Sequence, residues 1–435
     1  MPGTVAETME PVVRALVGGS DAVPIRFWDG STLGPESDAT LVIKTPDALR
    51  RVIWSPGELG LGRAYVAGDI DLEGDIMQVI SSAFAMVDPG EEIVANRLPV
   101  RDWPDLLLAA KRIGALGRPL PLPPEETRVR GRLHSKGRDA TAVSHHYDVG
   151  NDFYCLFLGE TMTYSCAYFE GDDTGLDDAQ TSKYDLICRK LGLSPGMRLL
   201  DIGCGWGGMV IHAAARYGVE AVGVTLSEEQ AVMARGRVAD AGLEDLVEVR
   251  YQDYRDVDDG PFDAVSSIGM FEHVGKARLS EYFQKVRDLL SPQGRLLNHA
   301  ISRPHGSPSM GRRSFVTRYV FPDGELQEVG RVVSTMQELG FEVRDVESLR
   351  EHYAQTLRHW VGNLEESWEE AVALVGVGRA RVWRLYMAVS ALGFEAGSIS
   401  VHQVLGIKPT NRGLSGIPAT REEMLKQSVS EARAA

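Results

Sequence analysis

Apolar and polar positions along the chain fall into two regimes that meet near residue 140. Beyond it five short apolar runs recur: MRLLDI (197–202), EAVGVT (220–225), VEVRYQ (247–252), FDAVSSI (262–268) and RLLNHAI (295–301). Helical stretches separate them. Continuous apolar strands alternating with helices predict a parallel sheet covered on both faces. The expected fold class is therefore α/β, with a doubly wound, mostly parallel sheet and a smaller N-terminal α+β domain. In that smaller domain, PIRFWDGST predicts a strand and a turn, with Asp29-Gly30 as the turn signal. ATLVIK (39–44) predicts a second strand, and PDALRRVIW a helix with Pro46 near its first turn.

Between the regimes, Gly114, Gly117, Pro119, Pro121, Pro123 and Pro124 break any long element. Just before them, Trp103, Leu106, Leu107, Ala110 and Ile113 fall at helical spacing, with Lys111 and Arg112 alongside. This stripe reads as a helix packed on one of the domains or as an interfacial helix on anionic lipid. Arg128, Arg130, Arg132, Lys136 and Arg138 follow as a basic cluster. Residues 353–395 read as mainly helical, and the polar stretch after Pro409 as loosely held. The expected organisation is an auxiliary lipid-associated domain (1–110), a linker (111–140), a catalytic domain (141–410) and a polar tail (411–435).

Composition changes this picture little. The chain has 435 residues, 46 Lys+Arg against 61 Asp+Glu, and a formal charge of −15. That balance argues against a nucleic-acid partner. The first residues show no secretory pattern, and Pro2 removes a myristoylation signal. No apolar run is long enough to span a bilayer. The expected location is cytoplasmic. Cys155, Cys166, Cys188 and Cys204 lack metal-ligand spacing and read as reduced thiols, so no metal is expected. Adjacent His145 and His146 point to opposite faces of an extended segment, which also disfavours a shared ion.

The strongest chemical signal is LLDIGCGWGG (199–208), which follows a buried strand and opens a helix. Gly203 and Gly205 allow a tight turn and close ligand approach. Gly203, Gly205 and Gly208 also satisfy a dinucleotide fingerprint. Two features favour S-adenosylmethionine instead. Asp201, at the strand's end, suits a cationic amino-acid group and would repel pyrophosphate. The next strand ends at Thr225, where a dinucleotide site expects an acid for the ribose. Thr225, Leu226, Ser227 and Gln230 offer neutral contacts there.

Further segments carry a specific resemblance. They are SHHYDVGNDFY (144–154), TMTYSCAYF (161–169), VTLSEEQ (224–230), QDYRD (252–256), GMFEHVG (269–275), LNHAIS (297–302), RYVFPDGEL (318–326) and HYAQTL (352–357). With the glycine loop, they resemble the cyclopropane-fatty-acid synthases, including the mycolic acid cyclopropane synthases. GLGRAYVAGDIDLEGD (60–75) resembles that family's auxiliary domain. The resemblance implies a class I S-adenosylmethionine-dependent methyltransferase fold. It implies methyl transfer to the cis double bond of an unsaturated phospholipid acyl chain. By the same resemblance, Tyr164, Ser165, Leu200, Asp201, Gly203, Cys204, Gly205, Trp206, Gly207, Thr225, Leu226, Ser227, Gln230, Asp253 and Tyr254 contact the cofactor. Cys166, Glu272, His299, Ile301 (through its backbone) and Tyr353 match positions around a bound bicarbonate ion. A homodimer and peripheral contact with the inner membrane face also accord with it.

Such chemistry makes demands that these residue types can meet. An alkene is a weak nucleophile, so positioning carries much of the catalysis. The carbocation formed on the acyl chain must be kept dry. Aromatic faces stabilise a cation without attacking it, and Tyr147, Tyr164, Tyr168, Phe169, Phe271 and Tyr353 are candidates, with core packing the simpler reading of Phe169 and Phe271. Proton loss from the new methyl group closes a cyclopropane. Loss elsewhere leaves a methylene branch, a precursor of 10-methyl acids that would need a downstream reductase. Competing readings stay open for single residues: a core histidine for His299, a buried thiol for Cys166, a helix-end pair for Glu272-His273 and a solvated basic face for Arg312, Arg313 and Arg318. An N-methyltransferase of small molecules or headgroups, and a lipid-binding protein without turnover, are the rival functions.

Overall fold

A computed structural model describes residues 3–17, 24–84, 103–127, 138, 149–307, 311 and 314–426. The chain forms two compact units. The first comprises Met1–Arg128, Met310–Pro322 and Leu364–Ala396; the second comprises Val129–Ser309, Asp323–Asn363 and Gly397–Ala435.

The first unit holds a four-stranded sheet of β1 (Ile25–Phe27), β2 (Thr32–Leu33), β3 (Thr40–Ile43) and β4 (Ile70–Glu73), in the order β2-β1-β3-β4. The Asp29 carboxylate ties the β1–β2 turn by accepting from the Ser31 amide (3.0 Å) and hydroxyl (2.6 Å). The helix Asp47–Trp54 starts directly after Pro46, where a fixed φ suits the first turn. Helices Val5–Val17 and Trp103–Arg112 contribute Ala6, Met9, Ala109 and Ala110 to one apolar core with Phe27. Ala110 and Ile113 of the predicted stripe pack there, whereas Leu107 and Leu108 are exposed. The side chains of Trp103 and Leu106 lie outside the described residues. The helix Val377–Glu395 belongs to this unit, and its Arg381 donates to the Tyr65 carbonyl (2.9 Å) and to Asp71 (3.0 Å).

The second unit is built on a seven-stranded sheet of β5 (Arg198–Ile202), β6 (Glu220–Thr225), β7 (Val247–Tyr251), β8 (Phe262–Ile268), β9 (Leu290–Ser302), β10 (Glu342–Ser348) and β11 (Ser400–Ile407). The order is β10-β11-β9-β8-β5-β6-β7. β5 to β9 pair in parallel, and β11 inserts antiparallel between β9 and β10. The five apolar runs of the sequence coincide with β5 to β9. Their alternate residues enter two cores, one on each face. Leu199, Ala221 and Leu297 serve the first, and Leu200, Val222 and Leu296 the second. Strand order reverses between β5 and β8, which opens a crevice at their carboxyl ends.

The described part of the polar stretch after Pro409, residues 410–426, is held more firmly than its composition predicts. Met424 is buried in the core beside the Leu176–Leu191 helix, and Arg421 bonds to Asp345 (2.9 Å). Met424, with Ile417 and Leu425 packed beside it, and the ion pairs of Arg421 with Asp345 and Glu347 therefore dock the segment. Arg138 forms a two-pronged ion pair with Asp323 (2.6 and 2.7 Å). The remaining basic residues of its cluster, His145, His146, Tyr147, Arg312 and Arg313 lie outside the described residues. Arg318 is half-buried rather than solvated. Among the described residues, no helix is long and apolar enough to cross a membrane.

Candidate active site

The glycine loop turns at the end of β5 because three of its residues take positive φ. Gly203 (φ +82°) also passes so close to Met270 that a Cβ would sit 2.9 Å from the methionine Cβ. At Gly208, which opens the next helix, a Cβ would lie 2.2 Å from the Tyr184 hydroxyl. These glycines are needed for space as much as for conformation.

A cleft open to solvent lies over this loop. Tyr164, Ser165, Asp201, Gly203, Cys204, Gly205, Trp206, Thr225, Leu226, Gln230 and Tyr254 line it. Four other expected contacts do not. Leu200 lies in the core beneath, Gly207 starts the Gly208–Tyr217 helix, and Ser227 caps Glu228–Asp240 by accepting from the Gln230 amide. The Asp253 carboxylate accepts from the Arg255 guanidinium at 2.9 and 2.6 Å. Asp201 pairs with Ser266 across β5 and β8, and its Oδ1 accepts the serine hydroxyl at 2.6 Å. Burial pushes its pKa up to about 6, so the carboxylate is charged near neutrality. Thr225 donates to Gln230 Oε1 (2.8 Å) and accepts from the Ser227 amide (3.2 Å), which makes a neutral, interlocked wall.

The residues of the second constellation are connected by hydrogen bonds and strand pairing that run through β9 and β11. Glu272 Oε1 accepts the Ile301 amide at 2.6 Å. Ile301 pairs with Val401 on β11, whose carbonyl accepts the Leu349 amide (2.9 Å). The Leu349 carbonyl accepts in turn from the Tyr353 amide (3.0 Å) and lies 3.6 Å from the Cys166 sulfur. His299 stands two residues before Ile301, so the two share a face of β9. Cys166, Glu272, Ile301 and Tyr353 are thereby linked, His299 lies beside Ile301 on β9, and all four side chains of the polar members are buried.

Its electrostatics are distinctive. Among the described residues, Glu272 Oε2 and His299 Nε2 are buried without a hydrogen-bond partner. Burial raises Glu272 to about 7 and lowers His299 to about 3, so the imidazole is neutral. The Gln403 amide nitrogen lies 3.3 Å from His299 Nδ1. Donation from that amide leaves the ring proton on Nε2. Among the described residues, one buried ring donor and one buried carboxyl acceptor are thus left unsatisfied. Burial also holds Cys166 as a thiol.

Aromatic rings join the two regions. Tyr164 stacks on Trp360 (centroids 5.2 Å, 25°), and Tyr353 meets the same indole edge-on (6.1 Å, 88°). Tyr154 packs on Tyr164 and Trp206. Tyr168 and Phe169 stack instead on His352, and Phe271 packs in the core against Tyr282 and Phe283. Sequence reasoning missed Trp360 and Lys183. Lys183 carried a readable signal, because with Gln180 it interrupts the apolar face of its helix at i, i+3 spacing.

The model of the mycolic acid cyclopropane synthetase family matches residues 134–404, and that of a domain of unknown function matches residues 17–89. A probable fatty acid methyltransferase of Mycobacterium tuberculosis is 45% identical over 412 residues, covering 91% of this chain and 93% of the relative. A tuberculostearic acid methyltransferase of the same organism is 34% identical over 406 residues, covering 88% and 87%. The crystal structure of a mycolic acid cyclopropane synthase complexed with SAH and CTAB superposes with a TM-score of 0.59 at 37% identity. It covers 62% of this chain and 98% of that one.

Proposed function

The chain belongs to the mycolic acid cyclopropane synthetase family, and on that premise we propose that it methylates the cis double bond of an unsaturated phospholipid acyl chain to give a cyclopropane. It is an S-adenosylmethionine-dependent fatty acid methyltransferase. When bound, S-adenosylmethionine supplies an electrophilic methyl group. The cleft residues from Tyr164 to Tyr254 would hold it, with Asp201 facing its ammonium group. The observation that carries the proposal is that Glu272 Oε2 and His299 Nε2 are buried and have no hydrogen-bond partner among the described residues. A methyltransferase of amines has no need for them, because the amine carries its own proton away.

Their donor and acceptor set fits bicarbonate, which when bound offers a base for the last proton. The His299 Nε2–H and the Cys166 thiol would donate to it, and Glu272 would accept its hydroxyl proton. The Tyr164–Trp360–Tyr353 cluster excludes water and presents ring faces to a cation on the acyl chain. A methylene-branched product is the second reading, favoured by the similarity to a tuberculostearic acid methyltransferase. Both outcomes begin from the same cation and differ in which proton leaves.

Membrane contact accords with the first unit. There Trp54, Leu107, Leu108, Leu116 and Leu122 are exposed, as are Lys111, Arg112 and Arg118. The Trp54 indole N–H donates to the Gly117 carbonyl (3.0 Å), which sets its ring beside the Leu116 turn. Apolar side chains flanked by basic ones suit the inner face of an anionic bilayer. The decisive experiment supplies labelled S-adenosylmethionine with oleoyl phospholipid vesicles and analyses the acyl chains by mass spectrometry and proton NMR. Cyclopropyl protons are expected. Exocyclic methylene protons would establish the second reading, and unlabelled acyl chains would overturn both.

A further inference from the structure

Lys183 lies on the inward face of the Leu176–Leu191 helix, one turn after Gln180, and is fully buried. It lines the same cleft as Asp201. Its ammonium donates to Ser165 Oγ at 2.9 Å and sits 4.1 Å from the Tyr184 ring centroid. An ammonium has three donors. Among the described residues it has no second hydrogen-bond acceptor and no carboxylate in an ion pair. The other strong cations on the cleft wall are engaged: Arg255 with Asp253, and Arg278 with Glu281 at 2.6 Å. A buried ammonium held by one neutral hydroxyl is strongly unfavourable unless an anion joins it. Burial accordingly lowers Lys183 to about 7.

Asp201 is the complementary case, a buried carboxylate with one serine donor and no ion-pair partner among the described residues. The fields of the two groups reach each other, yet they do not pair. One buried cation and one buried anion held apart on a cleft wall match a zwitterion. We propose that Lys183 is a cofactor-binding residue that takes the α-carboxylate of the cofactor's methionine portion, while Asp201 takes the α-ammonium. This rests on the reading of the cleft as an S-adenosylmethionine site. Ser165 is then held on one side by Lys183 and on the other by Gln180, whose amide donates to the Ser165 carbonyl at 2.9 Å. Carboxylate binding would therefore also brace the segment that leads to Cys166.

The test compares three ligands by calorimetry on the full chain. They are S-adenosylhomocysteine, its decarboxylated analogue and 5′-methylthioadenosine, which lacks the amino acid entirely. Lys183→Met should weaken S-adenosylhomocysteine on the order of 10- to 100-fold, the scale of a charged hydrogen bond, and leave the other two unchanged. Lys183→Arg, which keeps the charge, should retain part of the preference for the carboxylate. Equal losses for all three ligands would overturn the assignment and reduce Lys183 to a support for the Tyr164–Ser165 segment. Unchanged S-adenosylhomocysteine affinity with a raised bicarbonate requirement would also overturn it, since the anion would then be bicarbonate. Failure of the unaltered protein to bind any adenosyl ligand would instead overturn the cofactor reading itself.

Discussion

Replacing Glu272 by glutamine alters a single buried atom and separates catalysis from stability. The amide oxygen can keep accepting from the Ile301 amide, as Oε1 does at 2.6 Å. The amide nitrogen then takes the place of Oε2 and puts a donor where an acceptor stood. The carboxyl is raised from 4.5 to about 7 by burial, which corresponds to about 3 kcal/mol against its charged form. The sign follows from proton binding. Below 4.5 the folded and unfolded states both hold the proton, and the cost is absent. It grows as pH rises through the interval and is complete above about 7. The unpaired amide donor takes back about 1 kcal/mol. Glu272→Gln should therefore be more stable than the parent by about 1–3 kcal/mol near pH 8, and the gain should vanish below 4.5. Turnover should fall about 10²- to 10⁴-fold, the scale for loss of a positioned proton-transfer group. Affinity for S-adenosylhomocysteine should hold, because Glu272 is not among the residues lining the cofactor cleft. The parent's rate should rise with pH through about 7, and the variant should lack that limb. Initial rates with labelled cofactor and oleoyl vesicles, calorimetry and thermal denaturation at two pH values measure all of this. Unchanged turnover, a parallel loss of cofactor affinity, or a less stable variant at high pH would each refute the reasoning.

Asp201→Asn removes the only charge that Ser266 supports at the end of β5. Calorimetry should show S-adenosylhomocysteine weakened on the order of 10-fold or more, with little change for 5′-methylthioadenosine. His299 stays neutral in the folded state down to about 3, whereas the unfolded state takes a proton near 6.5. Stability is thus lost as pH falls below 6.5, and His299→Gln should show a shallower loss of melting temperature over that range. Trp360→Ala removes the ring shared by Tyr164 and Tyr353 and should cost about 3–5 kcal/mol in urea unfolding. Trp360→Phe should cost less, and an equal loss would show that ring contact is not what the site needs.

Legibility of the fold followed how local each cause is. β5 to β9 are apolar on both faces, so their periodicity is visible without knowing their neighbours. β10 escapes that reading because it is an edge strand with exposed and half-buried residues in alternation. β11 is almost wholly buried, but its partners β9 and β10 lie far back in the chain, and its run follows a long helical segment. The buried lysine Lys190 shows the same limit: its partners Asp345 and Glu347 are distant in sequence and close only through packing.

The strand and helix rhythm and the glycine loop after β5 were legible from the residues alone, because periodicity and positive φ are demands that neighbouring residues place on each other. The acid at Asp201 and the neutral turn from Thr225 to Gln230 were legible for the same reason. Resemblance supplied five more residues scattered from Cys166 to Tyr353, but not the state of any of them. Only the packed structure shows that Glu272 and His299 each bury an atom with no partner among the described residues, that Trp360 joins Tyr164 to Tyr353, and that Lys183 enters the cleft over the glycine loop with no carboxylate beside it among those residues. Burial and the absence of a partner depend on every element that packs around a group, so no stretch of sequence contains them.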